Sequence, residues 1–242
     1  MSGHSKWSQI KHQKGIADQK RGQMFTKLGN AIAVAVKKSG GVSDPNSNFR
    51  LRLAIEKARQ ANMPKSNIDK AIERGLGKGE GESLEEITYE GYGPGKVAIL
   101  IQAATDNRQR TYAKLKNIFS EFKGHLAGPG SVAYFFQNCG AIKVKKENLT
   151  TDQSLEIALA VGCQDFEDVG ESIIFYTEAS DLHKIKELLE AKKLNVIESE
   201  LVFRPTTTIK IEDKETAQKL LNLVNKLEED DDIQKVSANF AI

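Results

Sequence analysis

Between residues 75 and 81 the chain alternates Gly75, Gly77, Gly79 and Gly81 with Leu76, Lys78 and Glu80. Each glycine inside a helix or strand costs about 0.5–1 kcal/mol relative to alanine, because it loses the most backbone freedom on ordering. Four glycines in seven residues leave no regular element there, so the segment reads as a linker about which its two sides are free to reorient. The two sides also differ in charge. Residues 1–75 carry fifteen Lys+Arg against five Asp+Glu, a net of +10; the rest carries twenty against twenty-eight, a net of −8, and the overall +2 hides the contrast. A polyanionic partner suits the first part and not the second.

The cations begin at once. Up to Lys38 the chain has Lys6, Lys11, Lys14, Lys20, Arg21, Lys27, Lys37 and Lys38 against the single acid Asp18, with His4, Trp7 and His12 among the first of them. Lysines and arginines that neutralise phosphates release condensed counterions, and flat rings stack on unpaired bases, so this is a nucleic-acid footprint. A solvated basic arm is the ordinary alternative for a charge run. The cations continue, however, into the helices that follow.

Phe25, Leu28, Ile32, Ala35 and Val36 recur at spacings of three and four, predicting a helix from Gln23 to Lys38 that Ser39-Gly40-Gly41 ends. A second helix is expected from about Ser47 to Asn62, with Leu51, Ile55 and Ala58 inward and Arg50, Arg52, Lys57 and Arg59 around them. Met63-Pro64 breaks the pattern, and Ser66-Asn67-Ile68-Asp69 reads as a capping box opening a third helix to about Arg74. Residues 1–75 are thus a basic three-helix module, with nucleic-acid contacts expected at Lys6, Trp7, Lys11, His12, Lys14, Lys20, Arg21, Lys27, Lys37, Lys38, Arg50, Arg52 and Arg59.

Beyond the linker the period changes. Ile87–Tyr92 and Val97–Ile101 read as strands around a Gly93-Pro94-Gly95 turn, Thr111–Phe122 as a helix, and Ser131–Phe136 as a further strand. From Ala141 to Arg204 the order strand, helix, strand, strand, helix, strand is that of a ferredoxin-like unit. The tail adds a strand at Thr207–Ile211, a helix at Glu215–Glu228 and a strand at Ile233–Asn239. Residues 76–136 lack a second helix to cover their sheet, so residues 205–242 are expected to complete that middle domain. Residues 137–204 are then an insertion within it. The fold class is α+β: a helical module followed by two α/β domains, one inserted in the other.

Few function classes other than binding leave a trace. The stretch Gly91 to Lys96 departs from G-x-x-x-x-G-K-[ST] and sits in a hairpin, so a tight turn explains its glycines. His4, His12, His125 and His183 have no zinc spacing, no G-x-S-x-G occurs, and Cys139 and Cys163 stand in no nucleophile context. The acidic run Glu228 to Asp232 reads as a solvated helix end. We expect no catalysis, metal, cofactor or small-molecule substrate. In Asp106-Asn107-Arg108-Gln109-Arg110-Thr111, Asp106 or Asn107 would cap the next helix, leaving Arg108 and Arg110 at its N-terminus for phosphate contact or for surface ion pairs, with Lys114 and Lys116 extending the patch. Two cysteines are too few for a disulfide framework, and no apolar run approaches the roughly 18 residues that span a bilayer. A cytoplasmic protein is expected; an organellar one stripped of its transit peptide would look the same.

The strings GHSKW, IKHQKG, KRGQMFTKL, GGVSDPNSNFRLR, YEGYGPG, DNRQRT and GSVAYFF, in this order, resemble the YebC/PmpR family, whose mitochondrial members include the translational activator of cytochrome oxidase. Departures are small: Ser2 for the usual Ala, a loop lengthened by Val42-Ser43, and Lys96 where a further Gly is common. The resemblance implies a three-domain, nucleic-acid-binding regulator of gene expression. It carries two functions: a transcriptional regulator binding DNA, or a ribosome-associated translation factor binding ribosomal RNA and helping elongation through proline-rich stretches. A flexible basic arm with Trp7, and no clear recognition helix, lean toward RNA. A pure protein-interaction module is the third reading, to which the acidic ferredoxin-like domain would be suited.

Overall fold

The computed structural model describes residues 18–78 and 83–242, so the N-terminal arm with Lys6, Trp7, Lys11, His12 and Lys14, and the glycines at 79 and 81, lie outside the described residues. Residues 136–208 form one compact unit; the described residues before 136 form another together with 209–240.

The larger unit opens with three helices, α1 (Asp18–Lys38), α2 (Phe49–Gln60) and α3 (Lys65–Gly75). Leu28, Ile32, Ala35 and Val36 of α1 pack with Leu51, Ile55 and Ala58 of α2 and Ile68 and Ala71 of α3. Full burial of each large aliphatic side chain contributes about 1.5–3 kcal/mol. The helix α1 was expected to have a single apolar face. It is buried on two, because Ala33 and Val34 pack against Leu84 and Ala104 of the following sheet domain, which explains the unbroken buried run from Ile32 to Val36. Phe25, expected inward, is only half-buried.

Asn48 sets the entry to α2. Its carbonyl oxygen accepts from Leu51 N at 3.1 Å, and its amide nitrogen reaches Ala35 O, Ser39 Oγ and Val42 O at 2.8–3.1 Å. The expected capping box at Ser66 does not form: the N-cap is Pro64, two residues earlier, with no side-chain cap, so Ser66 falls inside the first turn. Gly75, counted above as the start of the linker, is the last residue of α3 and lies at its crossing with α1, where a Cβ would stand 2.6 Å from Ala33 O and 2.7 Å from Val36 Cβ.

The same unit continues with β1 (Glu85–Tyr92), β2 (Ala98–Thr105), α4 (Arg108–Glu121) and β3 (His125–Ala127), and closes with β8 (Ile209–Lys210), α7 (Lys214–Glu228), β9 (Ile233–Ala238) and β10 (Phe240–Ala241). Strand order is β3-β1-β2-β9, antiparallel throughout, with Glu85 opposite Thr105 and Ile101 opposite Val236. The tail therefore completes this sheet. Ile99 and Leu220 of α7 both crowd Gly93, whereas Ala104 packs with Ala33 and Val34 of α1, so β2 is covered on both faces and reads as a continuous apolar run. Gly95 adopts φ +68° in the hairpin turn, which accounts for one glycine of the 91–96 stretch.

One predicted strand is absent. Residues 131–135 form a turn and a short 3₁₀ segment, and the third strand of this sheet is β3, before Gly128 rather than after it. The cause is Glu90, 6% exposed on β1. Its carboxylate accepts from the backbone N–H groups of Gly130 and Val132 at 2.6 Å and Ala133 at 2.9 Å, so these amides are engaged by a side chain and no ladder forms.

The second unit holds β4 (Phe136–Lys145), α5 (Thr151–Val161), β5 (Asp165–Asp168), β6 (Ser172–Glu178), α6 (Leu182–Ala191) and β7 (Val196–Pro205), with strand order β5-β6-β4-β7. That is the ferredoxin-like arrangement, built on Ile142, Val144, Ile173, Phe175, Leu182 and Leu189. Its first strand begins five residues before the predicted Ala141.

Candidate nucleic-acid interface

Several of the module's cations turn back onto the protein. Lys27 Nζ donates to the backbone carbonyl of Glu228, and Lys37 Nζ to that of Leu84 at 2.8 Å. Lys38 and Arg50 converge on the Glu86 carboxylate, with Arg50 Nη2 at 3.0 Å. Burial alone would raise the Glu86 carboxyl; the two cations more than offset it and hold it below its ordinary value. These four residues, expected to face phosphate, thus have partners on the sheet domain. Lys38 and Arg50 nevertheless stay about half exposed in their side chains, 50% and 42%. No local signal in the sequence marks Glu86 as their partner, since it stands 36 residues from Arg50 and 48 from Lys38.

The remaining described cations differ among themselves: Arg74, half-buried, donates to Asn30 Oδ1 at 3.0 Å inside the module, whereas Lys57 is exposed. Arg52 lies 5.7 Å over the Phe49 ring, a cation–π contact that leaves its charge available. Arg59, seven residues further on, shares its stripe of α2 and is exposed. Arg21 is exposed near the start of α1, and the Lys20 side chain lies outside the described residues. On α3 the outward face carries Ser66, Asp69, Lys70 and Glu73, with Lys65 exposed at its start. Lys65 and Lys70 were not singled out above, although their helical spacing opposite Ile68 and Ala71 could have placed them. The described cations form a distributed basic surface over α2 and α3 rather than one pocket.

The Asp106–Thr111 segment is engaged internally. Asn107 caps α4 by accepting from Arg110 N at 3.0 Å. Arg110 bridges Asp106 at 2.7 Å and Asp232 at 3.3 Å, and Arg108 pairs with Glu85 at 3.2 Å. Thr111 Oγ1, fully buried, donates to Asp232 Oδ2 at 2.8 Å and lies 2.9 Å from Thr105 Oγ1. Lys114 pairs with Asp230 at 3.0 Å. Of the two roles open to Arg108 and Arg110, the geometry displays ion pairs, and the run ending at Asp232 is here a partner to α4 rather than a merely solvated helix end.

Among the described residues, no group of three or more His, Cys, Asp or Glu side chains is placed to hold a metal ion, and no helix is long and apolar enough to cross a membrane. Burial pushes the Cys163 thiol up to about 12, and Cys139 is buried.

Comparison with known proteins covers the chain in two adjoining blocks. Residues 5–78 match the family described as TACO1/YebC protein N-terminal domain, and residues 84–240 match the TACO1/YebC second and third domain. A probable transcriptional regulatory protein of Acidithiobacillus ferrooxidans is 50% identical over 242 residues, covering 100% of this chain and 95% of the relative. One from Sulfurihydrogenibium is 46% identical over 243 residues, covering 100% and 96%. The crystal structure of a conserved hypothetical protein from Aquifex aeolicus superposes with a TM-score of 0.88 at 43% identity, over 98% of this chain and 96% of that one. The chain belongs to the TACO1/YebC family.

Proposed function

We propose that this protein is a nucleic-acid-binding regulator of gene expression that works through its basic helical module, and that it acts on transcription by binding DNA. The observation that carries the reading is the net of +10 in residues 1–75, of which Arg52, Arg59, Lys65 and Lys70 stand on a folded, outward-facing surface. Relatives named probable transcriptional regulatory proteins support the transcriptional role. The reading is one of binding; burial, which pushes the Cys163 thiol up to about 12, removes that one residue as an activated nucleophile.

Ribosomal RNA is the second reading, favoured by one observation. The outward cations are shared between two helices, and Asp69 and Glu73 share the outward face of α3 with Lys70. Such a distribution suits the irregular phosphate path of folded RNA better than a single recognition helix in a major groove.

The test is binding of the full chain to duplex DNA and to ribosomal RNA as salt is varied, joined to crosslinking in cells and sequencing of the attached nucleic acid. Several phosphate contacts predict a loss of roughly 10³-fold or more between 50 and 200 mM salt. Weak binding that ignores salt for both probes, or full activity after Lys11, Lys14, Lys20 and Arg21 are all changed to Ala, overturns the reading in favour of a protein-interaction module. Promoter DNA among the crosslinks supports transcription; ribosomal RNA supports translation.

A further inference from the structure

The middle domain carries an exposed aromatic ring on a loop that is fixed from beneath. Tyr134 is 66% exposed, while Val132, two residues before it, is fully buried. Glu90 takes three amides of residues 130–133, and the Tyr92 hydroxyl donates to Ser131 O at 2.8 Å. The Phe135 ring backs Tyr134 at 4.1 Å between centroids, and the Tyr92 ring stands 5.6 Å from His125, its partner across the β1–β3 ladder. This end of the sheet also holds two exposed cations. Lys96 lies in the turn that follows Tyr92, and Lys123 lies two residues before His125; neither has an ion-pair partner among the described residues. The other exposed large hydrophobic groups described in this unit are Val42, Tyr112 and Ile242, so Tyr134 is a single flat ring and not part of a wide apolar face.

We infer that Tyr134 is a stacking platform for one unpaired base of a single-stranded nucleic acid, a second contact point in the middle domain that is separate from the helical module. The inference rests on the nucleic-acid reading of that module. An aromatic face accepts any base, and Lys96 and Lys123 supply charge for the neighbouring phosphates without reading sequence. The clamp by Glu90 matters because a ring already held in place loses little entropy when a base lies on it. A base inside a duplex has both faces covered and cannot use the site.

The test uses the full chain and a fluorescein-labelled single-stranded RNA of about 12 nucleotides, with the same sequence as a duplex for comparison, read by anisotropy. Tyr134→Leu, which keeps bulk and removes the ring, is expected to weaken single-strand binding roughly tenfold or more, the effect of one lost base–aromatic stack. Tyr134→Phe and Tyr134→Trp retain binding, which separates a lost ring from a disturbed loop, and duplex binding is unchanged in all three. Single-strand binding by Tyr134→Leu equal to that of the unaltered protein overturns the inference, as does an equal loss on both probes. If that happens while the Lys11, Lys14, Lys20 and Arg21 variant loses binding, the helical module remains the nucleic-acid site. If the unaltered protein binds neither probe, both readings fall together.

Discussion

At the scale of single residues, two buried polar groups each hold a loop, Asn48 the α1–α2 connection and Glu90 residues 130–133. Asn48, 5% exposed, caps α2 with its oxygen and ties the α1–α2 connection with its nitrogen. Asn48→Ala removes the cap and leaves the carbonyls of Ala35 and Val42 without this donor, so a destabilisation of about 2–3 kcal/mol is expected in urea denaturation. Asn48→Asp keeps the cap but not the donors, and a stability close to Ala rather than to Asn would place the larger share on the donors. Glu90 behaves differently because it titrates. Burial raises its carboxyl, and the amides of Val132, Gly130, Ala133 and Ser131 more than offset this, leaving it below the ordinary 4.5. A carboxyl depressed in the folded state contributes stability that is present above its unfolded value and is lost as pH falls through the folded one. Thermal melting is therefore expected to fall with pH below about 4.5 in the unaltered protein. In Glu90→Gln it should start lower at neutral pH and fall less steeply. Equal acid slopes for the two would show that the amide cage does not act through the charge.

At the scale of elements, one helix crossing shows how far spacing alone can be trusted. Gly75→Ala would gain up to about 1 kcal/mol in helix propensity, yet its Cβ meets Ala33 O at 2.6 Å and α1 must give way, an overpacking cost of roughly 1–3 kcal/mol. Gly22→Ala in α1 has nothing within 4 Å of the added Cβ and should stabilise by about 0.5–1 kcal/mol. Melting of the two variants in opposite directions is the expected result, and a stable Gly75→Ala would mean that α3 can shift without loss. Glycine count alone placed Gly75 in a linker; only the partner helix, 39 residues away at Val36, shows it to be a packing residue. The same limit explains the other misses. The ferredoxin-like order and the completion of the sheet by α7 and β9 were legible because long periodic segments declare themselves. The strand at 131–136 was not, since Val132-Ala133-Tyr134-Phe135 has strand composition and the deciding group, Glu90, lies forty residues earlier. In the candidate interface, the number of cations was legible but not their occupation: Lys37, Lys38 and Arg50 look alike in sequence to Arg59, and only the fold brings Leu84 and Glu86 to the first three.

At the scale of the whole molecule, the insertion has a geometric licence. Phe136 opposes Pro205 and Gln137 opposes Arg204 in the β4–β7 ladder, so the chain enters and leaves residues 136–208 at neighbouring points. The break they leave in the larger unit lies between Phe135 and Ile209, and its sheet, β3-β1-β2-β9, takes no strand from the inserted segment. The inserted unit in turn carries its own fully buried side chains, Ile142, Phe175, Leu182 and Leu189 among them. At roughly 70 residues such a unit is small but within the range that folds alone. Residues 136–208 made as an isolated chain are therefore expected to show mixed α/β circular dichroism and a cooperative melt. The complementary deletion, with Phe135 joined to Ile209 through a few Gly and Ser residues, should keep the helical module and its sheet folded and keep its salt-dependent binding to nucleic acid. Separate folding of both pieces with binding confined to the second would assign the acidic unit to another task. Loss of folding in the deletion would mean that β4 and β7 act as a brace for the larger unit, and loss of binding from a folded deletion would place part of the nucleic-acid surface on the insertion despite its acidity.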